Sequence, residues 1–70
     1  MIPLIVADME KDLIIRRLGG SPEVKKHLED LGIHVGGTIV VVSRLGENVI
    51  VKVKESRVAV SEELARKIMV

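Results

Sequence analysis

The chain has 70 residues, no cysteine, no aromatic residue and a net charge of +1 from eleven basic and ten acidic side chains. Residues 1–70 suffice for one small domain, and folding at this length hides only about 60 % of the surface that the unfolded form exposes. The composition excludes a disulfide framework, base stacking on aromatic rings and an aromatic groove for proline-rich peptides, and the interspersed charges attract phosphate backbones only weakly.

Residues 1–20 lack the basic start, long apolar stretch and small-residue cleavage site of a secretion signal, and no apolar run approaches the ~20 residues of a spanning helix. With cysteine absent, a cytoplasmic protein that does not insert in the membrane is expected. A core this small supplies roughly 3–5 kcal/mol, so self-association into a homo-oligomer is one expected source of added stability.

The opening "MIPLIVAD" is apolar and strand-like, but Pro3 has no amide hydrogen and confines it to a sheet edge or an irregular lead-in. "LIIRRL", Leu13 to Leu18, is predicted as the first secure strand, bounded by "MEKD" and by Gly19 and Gly20. A helix follows over about 22–31. Ser21 is placed to cap its first amides, Pro22 suits its first position and Glu23 complements its positive end. Val24, Leu28 and Leu31 form one apolar stripe, with Lys25, Lys26, Glu29 and Asp30 away from it. Gly32 supplies a left-handed terminus, and Ile33 is positioned to fold back on the last turn.

"HVGG" is predicted as a turn through Gly36 and Gly37, leading into the strand "TIVVV" from Thr38 to Val42. A hairpin turn around Gly46 returns the chain as "VIVKVK", with Val49, Val51 and Val53 on one face and Ile50, Lys52 and Lys54 on the other. "RVAV" is a further short strand with Val58 and Val60 inward. Ser61, Glu62 and Glu63 then open a short helix over about 62–67, and Ile68 to Val70 return as an edge strand. Few short strands must hide their own edges, so the mainly β class and a small closed or nearly closed barrel with a helix across one end are expected.

The glycine pair, the helix ending "LGI", the "GG" that opens a strand, the valine-rich return and the "SRVAV" strand before Glu62 and Glu63 together resemble the FeoA family, ferrous iron transport protein A. The likeness runs over about residues 3–70. It implies an SH3-like β-barrel acting with FeoB, the membrane ferrous-iron permease whose cytosolic part carries a GTP-binding domain, as an accessory or regulator of iron uptake. A related alternative is the SH3-like regulatory domain of iron-dependent repressors, although no DNA-reading helix pair or metal-ligand cluster stands in this chain. A small oligonucleotide-binding barrel is a third, and it would be retained on nucleic acid in a salt-sensitive way.

Candidate chemistry is sparse. His27 and His34 are the only imidazoles, seven residues apart, and no paired ligand clusters accompany them. They are the only metal-ligand candidates, and the plainer expectation makes His27 a partly covered helix residue and His34 an exposed turn residue. Ser21, Ser43, Ser56 and Ser61 fall at caps and turns with no triad spacing, so neither an enzyme nor a cofactor is expected. "GGSPEV" lacks the lysine and spacing of a phosphate-binding loop, which leaves Gly19 and Gly20 as turn residues. Arg16, Arg17, Lys25 and Lys26 would make a local basic patch, diluted by Glu23, Glu29 and Asp30 into a solvated mixed face.

"TIVVV" does not alternate as a strand with one wet face does. Either a strongly bent barrel strand serves the core with both sides, or Val40 and Val42 join Ile50 in an exposed patch for a partner or a second copy. On the second alternative Val40, Val42, Ile50, Arg44 and Leu45 are the predicted partner-binding residues.

Overall fold

A computed structural model describes residues 1–70. Six strands form two sheets, with β1 (Leu13–Ile14), β3 (Thr38–Leu45), β4 (Asn48–Val53) and β5 (Ser56–Ser61) in the larger, and β2 (Arg17–Leu18) and β6 (Ile68–Met69) in the smaller. All neighbouring strands are antiparallel. Helices α1 (Pro22–Asp30) and α2 (Glu62–Ala65) complete the chain, and this is the small SH3-like barrel that the sequence implied.

Helix α1 is set by local chemistry. Ser21 Oγ accepts from the Val24 amide at 3.3 Å, and Pro22 fills the first helical position. At the other end Gly32 takes φ 91°, its amide donates to the Glu29 carbonyl and the Ile33 amide donates to the Leu28 carbonyl, both at 2.9 Å. These two bonds are the Schellman pair, and they bring Ile33 back over the last turn. Leu28 and Ile33 are both fully buried, while Val24 and Leu31 pack half-buried against the same core.

The core is a single cluster of fourteen apolar residues with no polar side chain buried among them. Its centre is aliphatic and β-branched: Ile39 and Val41 from β3, Val49, Val51 and Val53 from β4, Val60 from β5 and Ile68 from β6. The period-two reading of β4 holds, since Lys52 between Val51 and Val53 is exposed. The loop Gly46–Glu47 joins β3 to β4, with Leu45 opposite Asn48 and Gly46 at φ 59°, as a type II′ turn requires at its first central position.

Two expectations are corrected by contacts distant in sequence. "LIIRRL" is not one strand. Leu13 and Ile14 pair with Ile39 and Thr38, whereas Arg17 and Leu18 pair with Met69 and Ile68 of the other sheet. Between them the Ile15 amide bonds Gly37 O at 2.9 Å and the Arg16 amide bonds Met69 O at 2.8 Å, so the chain crosses from one sheet to the other with Ile15 buried at the bend. The strand-like N-terminus is a 3-10 helix, Leu4–Val6, preceded by an isolated antiparallel bridge between Pro3 and Met69. Burial of Leu4 and Ala7 in the core rewards this tight turn where an extended strand would expose one of them.

The short helix α2 ends at Ala65, earlier than the expected residue 67: the Lys67 amide donates to Leu64 O at 3.0 Å in a tightened last turn, and the Lys67 carbonyl accepts from the Gly19 amide at 2.7 Å as the chain enters β6. Its Ser61 cap forms as expected, accepting from the Leu64 amide at 3.2 Å.

Candidate partner-binding surface

The geometry of β3 turns on one extra residue. Val41 lies opposite Val51, but Ser43 lies opposite Ile50, so Val42 is a bulge in β3 and the strand changes phase there. Before the bulge Ile39 and Val41 face the core. An unbroken alternation would carry Ser43 and Leu45 inward as well. After the bulge it is Arg44 that lies opposite buried Val49, and Leu45 lies opposite exposed Asn48.

The phase change has two results. Arg44 Nη2 reaches the 3-10 segment and donates to Ile5 O at 3.0 Å and Ala7 O at 3.1 Å. Its guanidinium thus fastens the N-terminal turn to β3, and the Glu10 amide adds a bond to Val41 O at 2.8 Å. Leu45, by contrast, is left 72 % exposed, the most exposed large apolar residue of the chain. The segment held by Arg44 carries two further exposed apolar side chains, Val6 at 65 % and Met9 at 40 %.

The five predicted partner residues stand in different settings. Val40, Val42 and Ile50 are half-buried; Val40 lies opposite Lys52, and the bulged pair Val42 and Ser43 lies opposite Ile50, which has Ala59 on its other side. Val40 and Ile50 each stand between buried neighbours on their own strands and so share the outer face of the sheet, and the bulge sets Val42 beside Ile50. Arg44 is committed to two carbonyls, and Leu45 alone stands fully outward. Val6 and Met9 were not recognised from the sequence. The signal available is that "MIPLIVADM" has more apolar residues than a short lead-in can bury.

The other candidates are scattered or structural. His27 is exposed on α1 rather than partly covered, since the stripe through Val24, Leu28 and Leu31 turns it outward. His34 is half-buried rather than exposed, and its imidazole stands over Gly37, where a Cβ would lie 3.3 Å from Nε2 and 3.1 Å from the His34 carbonyl. No three histidine or acidic side chains gather as a metal-ligand group. Of the turn glycines, Gly36 has positive φ, whereas Gly19 and Gly37 do not. Gly20 is the most constrained: at φ 94° a Cβ would also press Val24 Cγ1 at 3.1 Å and Lys67 Cδ at 3.2 Å.

A second concave region lies between α1 and the β1–β2 crossing. It is a cleft of about 410 Å³ whose wall includes Arg16, Arg17, Lys25, Glu29, His34 and Val35. Of the three acidic residues expected to dilute the basic patch, only Glu29 lines it, and Lys26 does not. No helix is long and apolar enough to cross a membrane.

Comparison with known proteins agrees with this architecture. The FeoA domain model matches residues 3–70. A protein of Methanocaldococcus jannaschii named Fe(2+) transport protein A is 30% identical over 70 residues, all of this chain and 85% of that one. Among solved structures, the iron uptake regulatory protein FeoA superposes with a TM-score of 0.87 at 24% identity, covering 96% of this chain and 89% of that one. Zinc-bound ScaR superposes with a TM-score of 0.85 at 21% identity, over 97% of this chain but only 35% of its own length, so the same fold also occurs as one part of a longer protein. With the match running from Pro3 to Val70 and the β-barrel shared, the chain belongs to the FeoA family.

Proposed function

We propose that the chain is a cytosolic, non-enzymatic accessory module of ferrous-iron uptake that docks on the cytosolic part of a FeoB-type permease. The docking surface is the end of the molecule formed by the β3–β4 turn and the segment Val6–Met9. Membership of the FeoA family supports the pathway. The exposure of Leu45 carries the choice of surface, because a bulge at Val42 turns outward a leucine that plain alternation would have buried. A 70-residue fold gains nothing in stability by exposing it, and a partner that covers Leu45, Val6 and Met9 recovers the burial.

Calorimetric titration of the protein with the isolated cytosolic part of its cognate permease, with and without guanine nucleotide, tests this reading. Saturable binding is expected, with Leu45→Glu weakening it at least about tenfold through the loss of roughly 1.4 kcal/mol or more. Leu45→Glu leaves folding intact because the side chain is already in water. A dependence on nucleotide identifies regulation of the GTP-binding domain, and its absence identifies tethering. No heat at any nucleotide state overturns the docking claim.

A further inference from the structure

Arg16, Arg17 and Lys25 enter no ion pair and no side-chain hydrogen bond, although all three line one cleft. With Glu29 as the only carboxylate on its wall, the cleft carries three permanent cations against one anion, a local charge of +2 on a chain whose total is +1. A concave surface lined by one sign of charge concentrates ligands of the other sign. We infer that this cleft is a binding site for an extended acidic peptide segment of a partner protein, distinct in position and chemistry from the apolar end around Leu45.

Three features favour a peptide over a phosphate. The start of α1 is a poor cradle for an anion: Pro22 has no amide hydrogen, Val24 donates to Ser21 Oγ, and the remaining first-turn amide belongs to Glu23, whose own carboxylate stands beside it. Glu29, standing among the cations, repels a doubly charged phosphate but accepts a peptide N–H. Leu18 and Val35 complete the wall with apolar surface, and Val35 is 59 % exposed, which suits an aliphatic side chain lying between two carboxylates. Arg16 and Arg17 both border the cleft, so their guanidiniums are available to separate carboxylates of one extended segment, each as a planar two-pronged pair. The chain has no aromatic residue, so recognition here runs through charge.

The test is an amide-resolved NMR titration of the ¹⁵N-labelled full chain with an acetylated, amidated hexapeptide of alternating glutamate and leucine. Its glutamine–leucine counterpart, inorganic phosphate and guanosine diphosphate are run in parallel. Saturable shifts are expected at Arg16, Arg17, Lys25 and Val35 with the acidic peptide alone. They weaken about tenfold in Arg17→Gln, an exposed substitution, and weaken further as salt screens the pairs. Three results would overturn the proposal: no saturable shift at these amides, equal shifts with the uncharged peptide, or tighter saturation by phosphate or the nucleotide.

Discussion

Val51→Asp is expected to leave the protein unfolded at pH 7, while Lys52→Asp on the next residue leaves it folded. Val51 is wholly buried between Val41 on β3 and Val58 on β5. A carboxylate there has no partner, since no polar side chain is buried in this core, and an uncompensated buried charge costs several kcal/mol. The core of a chain this size supplies only about 3–5 kcal/mol. Lys52 faces water on the same strand and tolerates the change. Burial raises the folded-state pKa of the introduced carboxyl above its unfolded value, so the folded form holds the extra proton and stability falls as pH rises between the two. The deficit relative to wild type therefore narrows on acidification toward pH ~4, near the unfolded carboxyl value. Circular dichroism and amide spectra of both variants at the two pH values check it. A folded Val51→Asp at pH 7 would refute the assignment of the inner face of β4.

Leu28→Ala carries the second large effect, a loss of about 3 kcal/mol. Leu28 is the one fully buried side chain of α1, and Ile33 closes over the same turn through the Schellman bonds. Alanine favours the helix by only a few tenths of a kcal/mol, far less than the cavity costs. In a domain this small the melting temperature drops by roughly 4–8 °C for each kcal/mol, so a shift of about 12–24 °C is expected by thermal melt. A change of under about 4 °C, less than 1 kcal/mol on that scale, would mean that α1 does not seal the barrel.

What could be read from the sequence divides by range. Helix α1 was legible from cap to terminus because Ser21, Pro22, Gly32 and Ile33 each act on neighbours within five residues. The same holds for the Ser61 cap and the turn at Gly46. The division of "LIIRRL" depends on carbonyls of Gly37 and Met69, which no local pattern announces. Nor does local pattern reveal the bulge: "TIVVV" is apolar at every position after Thr38, so a phase change at Val42 leaves no trace in it. The valines suggest an outer patch with Ile50, and the fold leaves all three half-buried around the bulge. The apolar end around Leu45 depends on that same bulge together with the reach of Arg44 to Ile5 and Ala7, across more than thirty residues of chain. In the basic cleft, the candidate cations were visible as residues, whereas their separation from Glu23 and Asp30 required the fold.

Chemical-shift mapping on the ¹⁵N-labelled protein with the unlabelled cytosolic part of its cognate FeoB-type permease tests the docking surface most directly. The proposed surface requires line broadening and shifts centred on Val6, Met9, Leu45 and Gly46, with the amides of α1 little affected. Changes confined to α1 and the His34–Gly37 turn, with Leu45 and its neighbours untouched, would contradict it.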